Sequence, residues 1–223
     1  MKLASMMSTL CLASLGLVGC SSNVTQPDEY SGFLGDYSQL KEAKSPSGVE
    51  VMRWIDPKLD LKQYRSVYIE PTQFYPKPQP TVKIPQNTLY GINRYYDEAL
   101  KREIGQDLPL ATAPGPGVIV VRAAITAVSS KTEGLKPYEI IPIALVAAAV
   151  STASGIRDQE TTLGTEAQFI DGGNNKVIAQ VVRKGSGKPL QNDTQVMQPS
   201  DVKNVIDGWA SDLHQSFQKL KKQ

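Results

Sequence analysis

The apolar and polar positions alternate in two ways along the chain, with a period of two in some stretches and near four in others. Val49, Val51, Arg53 and Ile55 alternate with Glu50, Met52 and Trp54, which predicts a strand stopped by Asp56-Pro57. Ser66–Glu70 predicts a second strand, with Val67 and Ile69 inward and Pro71 ending it. Pro76, Pro78, Pro80 and Pro85 make the following stretch an extended loop. From Asn87 to Ile104 the spacing of Leu89, Ile92, Tyr96, Leu100 and Ile104 predicts a helix, closed by Gly105. Pro114-Gly115-Pro116-Gly117 then breaks the chain. Val118–Val128 predicts a strand with Ile119, Val121, Ala123, Ile125 and Ala127 on one face. Thr165–Ile170 and Lys176–Val182 flank Asp171-Gly172-Gly173-Asn174-Asn175, a hairpin turn. A last helix opens at Ser200 and buries Val202, Val205, Ile206, Trp209, Leu213, Phe217 and Leu220. The order strand–helix–strand–hairpin–helix predicts an α/β protein of the two-layer α+β type. Its mixed sheet has four to five strands, and its two helices pack on one face.

The N-terminus has a different pattern. Lys2 precedes an apolar run from Leu3 to Val18, and Gly19-Cys20-Ser21 follows. A charged start, an apolar run and small residues at the cut make a secretory leader. The cysteine after Gly19 resembles the bacterial lipobox, in which the thiol is acylated before cleavage. The competing reading is a signal-anchor helix, but Lys2–Val18 is barely long enough to span and lacks flanking stop-transfer charges. The expected division is a leader at 1–19, a lipidated tether at 20–36 and one globular domain at 37–223. Within that tether's end and just past it, Phe33, Leu34, Tyr37 and Leu40 look like a short docking segment. Ser21 rather than Asp after Cys20 resembles Gram-negative lipoproteins sent to the outer membrane, on its periplasmic face.

This reading removes much chemistry. Cys11 leaves with the leader and Cys20 carries lipid, so thiol catalysis, Cys-ligated zinc and iron–sulfur clusters are excluded. Loss of Lys2 takes the net charge from +2 to +1, and no dense basic cluster exists, so nucleic acid is excluded as a partner. Each acyl CH₂ buried in the bilayer contributes about 0.8 kcal/mol, so two or three chains hold the protein firmly.

Ser31-Gly32-Phe33-Leu34, Tyr37-Ser38-Gln39-Leu40, Arg53-Trp54-Ile55 and Tyr64-Arg65-Ser66-Val67 resemble the first half of the DUF3313 family of bacterial lipoproteins. Glu166–Asp171, Val177-Ile178-Ala179-Gln180 and the helix bearing Trp209 resemble its second half. The resemblance implies an outer-membrane lipoprotein and brings no activity with it.

Candidate chemistry is sparse. His214 is the single histidine, which argues against His-cluster metal sites and a Ser-His-Asp triad. Asp97-Glu98 read as a solvated face, with Glu98 and Arg102 spaced as an i,i+4 pair. Asp158 and Glu160 follow Arg157 in a polar loop with nothing to orient them. Asp171–Asn175 lacks the further carboxylates of a calcium loop. Gly115-Pro116-Gly117 and Gly185-Ser186-Gly187-Lys188 evoke phosphate loops but read as turns. The tyrosines (64, 68, 75, 90, 95, 96 and 138) allow a carbohydrate or peptide face, or simply amphipathic packing. No catalytic, metal or cofactor residue emerges.

One stretch is not required by the fold. Residues 138–156 are an insert whose centre, Ile143–Val150, is apolar on every side. As a helix from Pro142 to Ser154 it would be about 20 Å long, too short for a ~30 Å hydrocarbon core. It reads either as a buried connection or as a partner surface through Ile143, Leu145, Val146 and Val150. Two functional classes follow. One is a non-catalytic docking, assembly or structural protein that meets an envelope protein or a second copy of itself. The alternative is an envelope enzyme or ligand carrier that works with carboxylates, for example on peptidoglycan.

Overall fold

Every stretch with period-two patterning is a strand in the computed structural model, which describes residues 24–132, 159–192 and 194–222. The strands are β1 (Lys41–Lys44), β2 (Glu50–Ile55), β3 (Ser66–Ile69), β4 (Gln73–Phe74), β5 (Val118–Thr132), β6 (Gln159–Asp171) and β7 (Val177–Ser186). The helices are α1 (Gln86–Ile104) and α2 (Lys203–Leu220). Among the described residues one mixed, open sheet runs β1-β2-β7-β6-β5-β3, and β4 also pairs with β5. The fold is α+β.

The sheet has seven strands, not four to five, because two of them carry no readable pattern. β1 is Lys-Glu-Ala-Lys, a charged edge strand of the kind that resists pairing with other chains. β4 is two residues inside the proline-rich stretch. β3 and β4 lie along the same edge of β5, interrupted at Pro71, which has no N–H to give a ladder. Helix α1 fills the break. Asp97 Oδ1 accepts the Thr72 N–H at 3.0 Å, and Asn93 Nδ2 donates to the Thr72 carbonyl at 2.8 Å.

β3 and β5 are parallel, as a strand–helix–strand order with a crossover demands. Val67, Ile119, Val121, Ala123 and Ile125 form the floor of the main core. α1 lays Leu89, Ile92, Tyr96, Ala99, Leu100 and Ile104 into it, and α2 lays Ile206, Trp209, Ala210 and Phe217. A register shift between Ile125 and Ala127 breaks the alternation, so Val128 rather than Ala127 continues the apolar row. The start of α2 also differs from its sequence pattern. A 3-10 turn at Pro199–Asp201 comes first, and Val202 rather than Ser200 holds the N-cap position.

The opposite face of the sheet is covered by the N-terminal segment. Leu34, Leu40 and Val182 are buried there, with Tyr30, Phe33, Tyr37, Met52 and Trp54 packed around them. Residues 24–36, which read as tether, are therefore a strap across the sheet, and Val24 is only 6% exposed. The leader, Cys20 and the 138–156 insert with Ile143, Leu145, Val146 and Val150 lie outside the described residues.

Candidate functional site

The strap is fixed by polar contacts at three places on β6 and β7. Glu166, 1% exposed in the middle of β6, accepts the Ser31 N–H at 2.8 Å and the Tyr37 O–H at 2.6 Å. Lys184 Nζ meets Glu29 Oε1 at 2.8 Å, and Gln180 Nε2 donates to the Asp36 carbonyl at 3.1 Å. The Tyr37 ring stacks on Tyr30 with centroids 4.5 Å apart. Burial, and then its hydrogen bond to the Glu166 carboxylate, push the Tyr37 phenol up to about 12. A buried carboxylate without a cation is tolerable only because charge-assisted donors replace water around it.

On the helix face, a half-open cleft of about 70 Å³ lies between the C-terminal half of α2 and strands β2 and β7. Ile55, Leu61, Phe169, Leu213, Phe217 and Leu220 are among its apolar walls, and Arg53, Arg183 and Ser216 also border it. Arg183 Nη1 is 3.0 Å from Asp212 Oδ2, and Asp212 is 1% exposed. The Ser47 N–H and O–H, in the β1–β2 turn, donate to the same carboxylate at 2.9 and 3.0 Å. Burial alone would raise the Asp212 carboxyl. The Ser45 hydroxyl, the Ser47 N–H and the Arg183 charge outweigh burial and hold it below the usual carboxylate value. One acid thus ties α2, β7 and the β1–β2 turn together.

The structure disperses the other candidates. His214 Nδ1 lies 2.8 Å from Asp107 Oδ2 on the flank of α2. Glu98 pairs with Arg94 at 3.7 Å, not with Arg102, which instead meets Glu103 and Asp207, each at 3.0 Å. Arg102 reaches across to α2 while keeping Glu103 on its own helix, and these two partners take the place of the i,i+4 pairing with Glu98. Asp97 is the cap of the β3–β4 break rather than part of a dyad. Glu160 accepts from the Ser186 hydroxyl, while Asp158 lies outside the described residues. Asp171 Oδ1 accepts the Gly173 N–H at 2.8 Å, and Asn175 takes a φ of 61°, so 171–175 is a hairpin turn. Gly117 has a φ of 77° in the turn before β5. Gly185 and Gly187 do not form a turn; they lie at the end of β7, under Trp209 and the start of α2. Tyr64 and Tyr96 are buried, Tyr95 donates to Asp207 at 2.6 Å, and Tyr90 is 66% exposed, so the tyrosines share no face. Among the described residues no three His, Cys, Asp or Glu converge as metal ligands.

The Arg183–Asp212 pair was not singled out by pattern. Its one trace in the sequence is Asp212 itself, a charge set between Trp209 and Leu213 on the buried side of a helix. The strap from Glu29 onward and the pair both fall inside the stretch that a family model covers. The model for "Protein of unknown function (DUF3313)" matches residues 29–213. The chain belongs to this family. It is 43% identical over 198 residues, 89% of either chain, to "Uncharacterized lipoprotein YdcL" of Escherichia coli strain K12. The protein of the same name from Escherichia coli O157:H7 matches equally. Among solved structures, it is similar to the PelC dodecamer subunit of Paraburkholderia phytofirmans, at 12% identity and a TM-score of 0.38, covering 74% of this chain and 96% of that one. A DUF330 protein of Xanthomonas campestris overlaps at 8% identity and a TM-score of 0.39, over 76% of this chain and 94% of that one. This DUF3313 protein thus has proteins named as lipoproteins among its relatives.

Proposed function

We propose that this DUF3313 lipoprotein is anchored by acylated Cys20 at the periplasmic face of the outer membrane. There it serves as a non-catalytic docking or assembly protein of the envelope. The observation that carries this reading is the strap. Val24 is buried only four positions after Cys20, and an extended chain spans at most ~3.3–3.6 Å per residue, so at most about 14 Å separates the Cys20 backbone from Val24. A body held that close to a bilayer is placed to meet partners on the membrane surface rather than to range through the periplasm. The carboxylates support the same side. Glu166, Asp212, Asp107 and Asp171 each hold strands, helices or turns together. In this reading Ile143, Leu145, Val146 and Val150 form the contact surface for an envelope partner or a second copy.

Two measurements test it. Cys20→Ala should leave the protein unprocessed or released from outer-membrane fractions; normal cleavage and unchanged fractionation would refute the anchor. A photocrosslinker placed at Leu145 in cells should trap one defined protein, and Leu145→Asp with Val146→Asp should abolish a crosslink placed at Val150. Absence of any protein adduct from either position would refute the contact surface.

A further inference from the structure

We propose that the cleft beside α2 is a binding site for a medium-chain fatty acid, with its carboxylate on Arg53 and its chain between α2 and the sheet. The inference does not depend on the anchor or on the insert. It rests on a mismatch between an apolar cleft and the cations at its rim.

Lys41 and Arg53 are directly opposite each other on β1 and β2, so their side chains share a face. Arg53 is opposite Val181 on β7, and Arg183 follows two residues later on the same face. Three cations thus form a row across β1, β2 and β7. Like charges directly opposite in a sheet are unfavourable unless an anion sits between them. Asp212 answers Arg183. Among the described residues no hydrogen bond or ion pair engages the side chains of Lys41 or Arg53. Arg53 is half-buried and borders the cleft, so it has lost part of its water without gaining a partner.

The chemistry of the walls sets the rest of the ligand. Apart from Arg53, Gln180, Ser216 and Arg183, which is held by Asp212, the cleft is lined by aliphatic and phenylalanine side chains, which favour a hydrocarbon. Its volume of about 70 Å³ is several times the ~10–15 Å³ that one water needs by the same measure. That accommodates a short chain segment and excludes a two-tailed lipid. One carboxylate matches the single unanswered guanidinium, and a guanidinium grips a carboxylate through two parallel hydrogen bonds.

The test is calorimetric titration of the full lipidated protein, held in phosphatidylcholine nanodiscs, with octanoate, subtracting the heat of empty nanodiscs. Saturable one-to-one binding is expected. Arg53→Gln should weaken octanoate about tenfold, as the loss of one charge-assisted pair implies. The same variant should leave 1-octanol binding unchanged, and Arg53→Lys should recover most of the octanoate affinity. Ser216→Phe, which places a ring in the cleft, should remove saturation. Arg53 has no structural partner, so Arg53→Gln should unfold at the wild-type temperature and remains informative even if Ser216→Phe fails to fold. Wild-type protein with no saturable heat above nanodiscs alone would overturn the proposal. So would octanoate binding that Arg53→Gln leaves intact.

Discussion

Glu166 and Asp212 each solve the problem of a buried carboxylate, and they solve it differently. Glu166 relies on a backbone N–H and a phenol, while Asp212 has a guanidinium as well as serine donors. Tyr37→Phe should therefore cost about 1–3 kcal/mol in urea unfolding, because one carboxylate oxygen loses its donor. The Tyr37 phenol is raised to about 12 when folded, against roughly 10 in the unfolded chain. Its contribution is then complete below pH ~10 and disappears as pH rises toward 12, so wild type and Tyr37→Phe should converge in stability across that window. Asp212 has the opposite sign. Its depressed carboxyl contributes above the unfolded value near 3.9 and loses that contribution as pH falls below it. Asp212→Ala should cost about 3–5 kcal/mol at neutral pH, since it leaves Arg183 charged and buried. A variant within about 1 kcal/mol of wild type would mean that Arg183 finds water. Neither carboxylate could be assigned from sequence. Tyr37 and Glu166 are 129 positions apart, and Arg183 and Asp212 are 29 apart. Only strap docking and helix docking bring them together.

Elements were more legible than contacts because a strand or helix writes its own periodicity into neighbouring residues. The stripe from Val202 to Leu220 reads correctly since one helix face meets one core. The glycines of Gly185-Ser186-Gly187 were misread because their reason lies across the interface. A Cβ on Gly185 would come within 2.9 Å of Val205 Cγ1 and 3.1 Å of Trp209 Cζ2. A Cβ on Gly187 would sit 2.3 Å from the Asp201 carbonyl oxygen and 2.6 Å from Thr161 Oγ1. Side-chain tips can give way and a backbone carbonyl cannot. Gly187→Ala should thus destabilise more than Gly185→Ala, on the scale of the 1–3 kcal/mol typical of overpacking, when both are measured by thermal unfolding. Equal losses would show that the start of α2 moves freely over β7. Trp209, 8% exposed above Gly185, is the side chain that this close approach serves. Trp209→Ala should cost about 3–5 kcal/mol in urea unfolding. A loss below about 1 kcal/mol would mean that α2 is not held by this contact.

At the scale of the whole molecule, one sheet carries two unequal layers. The helix side is a continuous core through both helices, while the apolar cluster on the strap side has just three buried members among the described residues, Leu34, Leu40 and Val182. The polar composition of residues 21–36 reads as tether, and its packing comes from a few anchors (Glu29, Ser31 and the Asp36 carbonyl) that look like linker in sequence. Regions with few buried apolar contacts open at lower free energy than the core they cover. With Cys20 as the proposed anchor, opening the strap through Leu40 would move the first held residue from four to twenty-one positions after it, and the maximal reach from about 14 Å to about 70 Å. Hydrogen exchange on the full-length native protein can separate the two layers. The Ser31 amide, which bonds to Glu166, and the Leu40 amide, which bonds to the Tyr37 carbonyl at 3.0 Å, should exchange through a local opening. The amides between β5 and β6 should exchange only with global unfolding. Tyr37→Phe should speed the first set and leave the ratio of the second to global stability unchanged. Equal protection of both sets would mean that the strap unfolds only with the sheet.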